Sequence, residues 1–324
     1  MHVKYCSNIL KTAICLSQHT YIKVYLQSSR SISISNVSKS ISIFDRHTKR
    51  LQRERAILEK DVQLYDYLKE EIGFRLADKV FDIKKRFNVA VDLGCSRGYV
   101  SKHLSQDSID ELILCDMSKV NLEMAASTVP APIVVKKKIM DEENAEFEPN
   151  SLDLVMSNLN MHWVNDLPNL FKKIFSALKD NGVFLGSVFG GDTLYELRSS
   201  LQLAELERQG GISPHTSPFA EVQDIGSLLT SAGFSMLTID TDEISVNYPS
   251  IFELMWDLKG MAESNASFNR PVHLNRDSLF AAAAIYSEFH GKSNPNTENN
   301  AVPATFQVIN MIGWKASSSR SEQI

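Results

Sequence analysis

The chain has 324 residues, of which 43% are hydrophobic and 23% charged, the proportions of an ordinary globular protein. A formal net charge of −5 gives no electrostatic reason to expect nucleic-acid binding. No apolar run reaches the roughly 18 residues of a membrane-spanning helix, so the sequence predicts no transmembrane span.

The N-terminal 44 residues differ in composition from the rest of the chain. They contain no Asp or Glu, they are rich in Ser, and their Lys and Arg residues are Lys4, Lys11, Lys23, Arg30 and Lys39. This composition is typical of a mitochondrial presequence, whereas a secretory signal needs an unbroken apolar core that is missing here. We therefore predict a presequence at residues 1–44 and a protein of the mitochondrial matrix. The alternative is a disordered N-terminal tail that carries no targeting signal.

Residues 45–87 predict a helical lead-in to the first strand. The segment starts with a dense charged run and continues with apolar residues at helical spacing, namely Leu64, Tyr67, Leu68 and Ile72. We expect a pair of helices that pack beside the sheet. The alternative is that they form a lid over a cofactor.

From residue 88 onward, short apolar runs alternate with helical patterns. Strands are predicted at 88–94, 111–116, 132–137, 151–158 and 182–189, with helices at 98–105, 118–127 and 166–181 between them. Such alternation indicates a parallel sheet with right-handed crossovers. We predict one domain over 88–317, an α/β fold with a doubly wound, mostly parallel seven-stranded sheet, followed by a tail at 318–324.

The C-terminal part of this domain is less regular. A helix is predicted from 191 to 209, a strand from 234 to 248, and a last strand from 306 to 315 as the antiparallel edge of the sheet. We expect a largely helical insertion at about 210–303, with a helix closed by Gly233 and two more near 251–263 and 277–290. Its apolar helices suit a large protein partner, or they simply cover the sheet.

A turn between the first strand and the following helix carries the cofactor prediction. Gly94 permits a tight turn there, and Gly98 opens the predicted helix, whose free amides can meet a ligand. Asp92 ends the strand, and an acid at that position repels a phosphate but suits the ammonium of a methionyl group. The commoner turn has Gly in the middle, where this chain has the small residue Ser96.

Two further acidic positions follow the next two strands. Asp116 ends the second strand, where a carboxylate accepts from both ribose hydroxyls, and Met117 beside it can cover an adenine face. Asp141 and Glu142 follow the third strand, where an acid accepts from the adenine amino group. In this order and spacing, the three elements predict an S-adenosylmethionine (SAM) site.

With these motifs the chain resembles the class I SAM-dependent methyltransferases, in the branch similar to the carrier-protein methyltransferase of biotin synthesis. Residues 160–168, 189–198, 211–215 and 311–315 resemble something narrower, the mitochondrial complex I (NADH:ubiquinone oxidoreductase) assembly factors described as arginine hydroxylases. The resemblance implies a matrix protein that hydroxylates an arginine of an iron–sulfur subunit of complex I. It implies assembly intermediates as partners, with peripheral association at the inner membrane.

Four residues are candidates for catalysis. His162 and Trp163 follow the fourth strand, where a His serves as a general base or as a structural residue. Asp192 and Tyr195 follow the fifth strand, and Asp192 is also expected to cap the next helix. No His-x-Asp or His-x-Glu pair begins an iron site, and the cysteines lack metal spacing, so no metal site is predicted.

Three functions remain open from the sequence. Hydroxylation needs activated oxygen, and the residues show no means of activating it, so the arginine hydroxylase prediction depends on the resemblance alone and its oxidant is unknown. The second function is a SAM-dependent methyltransferase of a carrier-protein carboxylate or a protein side chain. The third is a non-catalytic assembly chaperone that binds SAM.

Overall fold

The computed structural model describes residues 42–291 and 301–317. Its helices are α1 Arg46–Ile57, α2 Tyr67–Asp82, α3 Lys119–Thr128, α4 Leu167–Ala177, α5 Tyr195–Gln209, α6 Val222–Ala232, α7 Ile251–Gly260 and α8 Arg276–His290. Its strands are β1 Phe87–Leu93, β2 Ile109–Asp116, β3 Val134–Ile139, β4 Leu152–Asn158, β5 Leu178–Phe189, β6 Ser235–Tyr248 and β7 Val302–Trp314. The predicted presequence lies outside the described residues except for its last three positions.

The strands form one sheet in the order β3-β2-β1-β4-β5-β7-β6. Strands β1 to β5 are parallel, and β7 is antiparallel to both of its neighbours, β5 and β6. Every residue of β4 is buried, as expected for a central parallel strand covered on both faces. This topology confirms the predicted doubly wound, mostly parallel seven-stranded sheet.

The last strand does not lie at the edge of the sheet, so that part of the prediction is wrong. Strand β6 pairs with β7 along most of its length and forms the edge itself. The burial of β6 alternates along much of its length, as expected for a strand with one solvated face, whereas β7 is mostly buried. The predicted insertion at 210–303 therefore contains a strand of the sheet as well as helices.

Local sequence signals explain where several helices begin and end. The Ser118 side chain accepts a hydrogen bond from the backbone of Asn121 and caps α3 as predicted. Asp166 caps α4 in the same way. Gly233 closes α6 with a φ of +105°, a left-handed conformation that favours glycine.

Three local predictions are wrong. The segment 98–105 contains only a 3₁₀ turn at Ser101–His103, because the chain leaves helical geometry at Leu104. Helix α4 ends at Ala177 and does not continue to the residue before Gly182, because Leu178 is extended and pairs with β4. Helix α5 begins after Leu194 and has no side-chain cap, so Asp192 does not cap it.

The N-terminal end of the described chain packs onto the domain. The backbone amides of Ile43 and Phe44 both donate to Asn165 Oδ1 at 2.7 Å. The Phe44 ring contacts Trp163 edge to face, with 5.3 Å between centroids. Cleavage after residue 44, the predicted end of the presequence, would remove these contacts. None of the described helices is long and apolar enough to cross a membrane.

Candidate functional site

A group of buried polar side chains lies at the carboxyl ends of the parallel strands. Asp92 lies at the end of β1, Asp116 ends β2, Glu142 follows β3, and Asn160 follows β4. All four are almost completely buried. The carboxyl edge of an open α/β sheet is where ligands bind, because the loops leave a crevice there.

Asp92 is the most unusual member of this group. Its side chain is fully buried, and neither carboxylate oxygen has a hydrogen-bond partner. Burial, together with the nearby charge of Asp116, raises the pKa of Asp92 to about 7. Buried polar groups are nearly always hydrogen-bonded, so a bare carboxylate here calls for a cationic or hydrogen-bonding ligand.

The turn that follows Asp92 adopts left-handed backbone geometry at three positions. Gly94, Ser96 and Gly98 have φ values of +73°, +49° and +85°. A Cβ at Gly94 would overlap the side-chain amide of Asn160, so only glycine fits there. Ser96 tolerates its strained conformation while its amide donates to Asp116 Oδ2 at 3.1 Å, so the turn forms without the commoner glycine.

Asp116 is fully buried and hydrogen-bonded from its own loop. Its Oδ1 accepts from the Ser118 amide at 2.8 Å and from Asn121 Nδ2 at 3.4 Å. Burial raises the pKa of Asp116, and the Arg53 guanidinium opposes that shift from 3.8 Å. The carboxylate is thus held in a fixed orientation at the tip of β2.

Two arginines of α1 cover the acids that follow β3. Arg46 Nη2 donates to Asp141 Oδ1 at 2.7 Å and also pairs with Glu142. Arg53 Nη1 donates to Glu142 Oε1 at 3.0 Å, and its Nη2 donates to Asn160 Oδ1. Burial alone would raise the pKa of Glu142, but the two guanidinium groups outweigh it and lower that pKa to about 2.

A cavity of about 350 Å³ lies between α1 and the loops after β2 and β3. Met117, which the sequence assigned to an adenine face, lines it together with Asp141. The remaining lining residues are Arg46, His47, Arg50, Ile139 and Met140. Helix α1 therefore lines one side of the cavity in addition to packing on the domain.

His162 and Trp163 lie together after β4, as predicted, and both contact Glu263. Trp163 Nε1 donates to Glu263 Oε2 at 2.9 Å, and His162 Nε2 lies 3.2 Å from the same oxygen. Burial lowers the pKa of His162, and Glu263 only partly opposes this effect. His162 Nδ1 is buried without a hydrogen-bond partner.

The carboxylate of Glu263 also pairs with a buried lysine. Lys69 Nζ lies 2.5 Å from Glu263 Oε1 and donates to the Met261 carbonyl at 2.9 Å. Burial raises the pKa of Glu263, but Lys69 and His162 outweigh it and hold the pKa well below its usual range. Glu263 therefore organises the charged cluster beside the candidate catalytic residues.

Asp192 and Tyr195 do not contact this cluster. Asp192 is exposed, and its Oδ2 accepts from Gln307 Nε2 at 3.0 Å. Tyr195 is 47% exposed, and its ring packs edge to face on His290. Their predicted catalytic role receives no support from these contacts. Within 42–291 and 301–317, no three His, Cys, Asp or Glu side chains form a metal-binding group.

Sequence reasoning missed Arg46, Arg53, Asn160 and Glu263. The basic residues of α1 signalled only a charged helix, because their partners lie about 90 to 110 positions away along the chain. Glu263 lies in the predicted insertion and gave no local signal. Asn160 belongs to a segment that the resemblance covered, but a role for it needed its contact with Gly94.

Comparisons with known proteins agree with this fold. A family model described as a methyltransferase domain matches residues 64–239. A Mus musculus protein named "Arginine-hydroxylase NDUFAF5, mitochondrial" is 50% identical over 287 residues, which is 89% of this chain and 81% of the mouse protein. A Coxiella burnetii malonyl-acyl-carrier-protein O-methyltransferase is 32% identical, over 74% of this chain and 77% of its own.

A solved structure gives the same result at the level of the fold. A protein from Bacillus halodurans, described as a methyltransferase, superimposes with a TM-score of 0.53. The match covers 74% of this chain and 99% of the bacterial chain, at 14% sequence identity. At that identity the likeness concerns the fold alone.

Proposed function

Because this chain belongs to the family of mitochondrial arginine hydroxylases, which is built on a methyltransferase domain, we propose that it hydroxylates an arginine side chain of a protein. The substrate is an iron–sulfur subunit of complex I, and the reaction takes place in the matrix on an assembly intermediate. The protein then contacts the inner membrane only peripherally, through the assembly intermediate of complex I to which it binds.

The observation that carries the proposal is the extent of the match to the family. Identity of 49–50% with the human and mouse proteins extends over 287 residues, which is 89% of this chain. The acid-free N-terminal segment agrees with the word mitochondrial in the relatives' names.

We propose SAM as the cofactor, held by the residues at the carboxyl edge. The bare carboxylate of Asp92 suits the cationic methionyl end, and the left-handed turn from Gly94 to Gly98 lets the ligand approach the backbone. Asp116 would hold the ribose hydroxyls and Met117 would cover the adenine, with Asp141 and Glu142 near its amino group. SAM supplies a positive charge, and a transferable methyl group if it is consumed.

His162 is the group best placed to take a proton during the reaction. The Glu263 carboxylate accepts from Nε2, so that nitrogen carries the hydrogen and Nδ1 is the free acceptor. Because burial lowers its pKa, the ring stays neutral and able to accept. Trp163 shares the same carboxylate and fixes its position.

A second function, methyl transfer to a carboxylate or a protein side chain, is favoured by one observation. The likeness to the Coxiella carrier-protein methyltransferase covers about three quarters of both chains. A non-catalytic SAM-binding chaperone would leave its protein partners chemically unchanged.

Peptide masses separate these functions. Arginine-bearing peptides of the complex I peripheral arm are compared between cells with the gene, without it, and with it restored. The proposal expects peptides that lose the mass of one oxygen atom in the deletion and regain it on restoration. Loss of a methyl group identifies a methyltransferase, and unchanged masses with failed assembly indicate the chaperone.

A further inference from the structure

A basic side chain of α1 is buried directly beside the candidate catalytic residues. The Lys49 side chain is fully buried, and its Nζ lies 3.3 Å from the centroid of the Trp163 ring. The same atom donates to the carbonyl oxygens of Ala262 and Ser264, each at 2.9 Å. Glu263, between those two residues in the chain, supplies the main attractive charge on the ammonium.

We term the Trp163 ring and the backbone carbonyls of Ala262 and Ser264 the cation cage, next to which Glu263 supplies a negative charge. An aromatic face with carbonyl oxygens, close to a negative charge, is a general solution for binding an organic cation. Nothing in the cage is specific to the ammonium of a lysine.

We propose that the cation cage binds the guanidinium group of the substrate arginine, and that Lys49 occupies it when no substrate is present. The inference rests on the proposed function, because it locates the side chain that the proposed reaction modifies. Beyond the proposed reaction, it identifies a binding site for the substrate side chain, and it identifies Lys49 as a group of the same chain that competes for this site.

The cage suits an arginine better than the lysine that fills it. Burial lowers the pKa of Lys49 well below its usual range, and Glu263 only partly offsets the effect. A guanidinium group stays charged, is more weakly hydrated, and stacks flat on an aromatic ring. Two of its five N–H donors can meet the two carbonyls of the cage.

The cage lies next to the proposed cofactor site. Lys49 and Arg53 are four residues apart on α1, about 6 Å of helix rise, and Arg53 contacts Glu142 and Asn160. Asn160 and Trp163 belong to the same short segment after β4. His162, the candidate proton acceptor, shares Glu263 with the cage. A guanidinium group bound in the cation cage would therefore lie beside both the proposed cofactor site and His162.

Helix α1 is held on the domain largely by contacts of its basic side chains, and a cationic ligand can make such contacts instead. Its buried residues are Lys49, Arg53 and Ala56, of which only Ala56 is apolar. By contrast, the buried residues of α2 are mostly apolar, as is usual for a helix fixed to a core. When a substrate guanidinium enters the cage, it makes the contacts that Lys49 loses, so the exchange leaves no buried charge unpaired.

Binding of a small arginine compound to the full chain tests the inference. The probe is N-acetyl-arginine amide, its neutral control is the citrulline analogue, and dissociation constants are measured by calorimetry. Lys49→Met removes the ammonium but keeps the length of the side chain, so the arginine probe should bind about tenfold or more tightly than to the native chain. The matched control is Arg55→Met on the same helix, where the side chain is exposed and does not line the cavity.

A gain of affinity cannot come from misfolding, and an unchanged far-UV circular dichroism spectrum of Lys49→Met makes the absence of a gain informative as well. The inference is overturned if Lys49→Met binds the arginine probe no more tightly than the native chain, or if the citrulline analogue gains equally. The peptide masses are independent of this outcome. If the arginine is oxygenated but Lys49→Met shows no gain of affinity for the probe, the cage is rejected and the proposed function is kept. If the affinity rises but no arginine is oxygenated, the cage is supported and the hydroxylase function is rejected.

Discussion

At the scale of single residues, the site is defined by polar groups whose usual partners are missing or replaced. Asp92 has no partner for either oxygen, whereas Glu142 has two arginines. The strand pattern predicted both acids, because residues at the carboxyl ends of parallel strands meet at one edge. It did not predict which acid would be bare, because that depends on Arg46 and Arg53, which come from a helix distant in sequence.

Asp92→Asn should make the protein more stable while it loses the cofactor. The folded-state pKa of about 7 lies above the unfolded value. The stability that the protonated carboxyl contributes is therefore lost as the pH rises through about 7. Unfolding by denaturant should show a gain of about 2–4 kcal/mol at about pH 8.5 and a smaller gain at about pH 5.5.

In the same variant, SAM affinity should fall by about tenfold or more, because an amide does not neutralise the methionyl ammonium. Asp110→Asn is the matched control, since this acid lies at the opposite end of the sheet in an exposed pair with Arg86. Retention of native SAM affinity by Asp92→Asn would contradict the role proposed for Asp92.

A pair of glycines separates backbone strain from close packing. Gly94 and Gly210 have similar positive φ values, +73° and +68°, but a Cβ at Gly94 overlaps Asn160 and one at Gly210 meets nothing within 4 Å. Gly210→Ala should cost about 1 kcal/mol in free energy of unfolding, and Gly94→Ala about 3 kcal/mol or more. Equal losses would show that Asn160 moves away freely and does not shape the turn.

At the scale of elements, the sequence predicted most strands and helices but not how their ends meet. Helix α4 was predicted to continue to the residue before Gly182, because its apolar periodicity runs on past Ala177. In the structure Leu178 pairs with β4, and this tertiary contact overrides the helical pattern. The order of β6 and β7 was also hidden, because antiparallel pairing leaves no local signature of which strand forms the edge.

Helix α1 should loosen when SAM binds, because the ligand needs the acids that Arg46 and Arg53 now cover. Trypsin should therefore cut after Arg50 or Arg53 about threefold faster or more with saturating SAM. Cleavage after Arg208, which is exposed on α5, serves as the internal control. Slower cleavage of α1 with SAM would mean that the helix closes over the cofactor instead of giving way to it.

At the scale of the whole molecule, the proposed cofactor site and the cluster around Glu263 lie beside each other under one charged helix. The fold was predictable, because alternation of strands and helices leaves few topologies. The site was predictable only at the strand ends. The charged cluster of Lys49, Lys69 and Glu263 was not, because its members come from segments up to about 210 residues apart.

The masses of arginine-bearing peptides test most directly whether this site produces a hydroxylated arginine. Deletion cells are restored with the native chain, with Asp92→Asn, or with Asp110→Asn, and complex I peptides are compared at equal levels of the restored protein. We expect one arginine peptide to carry an additional oxygen with the native chain and Asp110→Asn, and to lack it with Asp92→Asn. An unmodified arginine in all three, or full oxygenation with Asp92→Asn, would contradict the proposed function of this site.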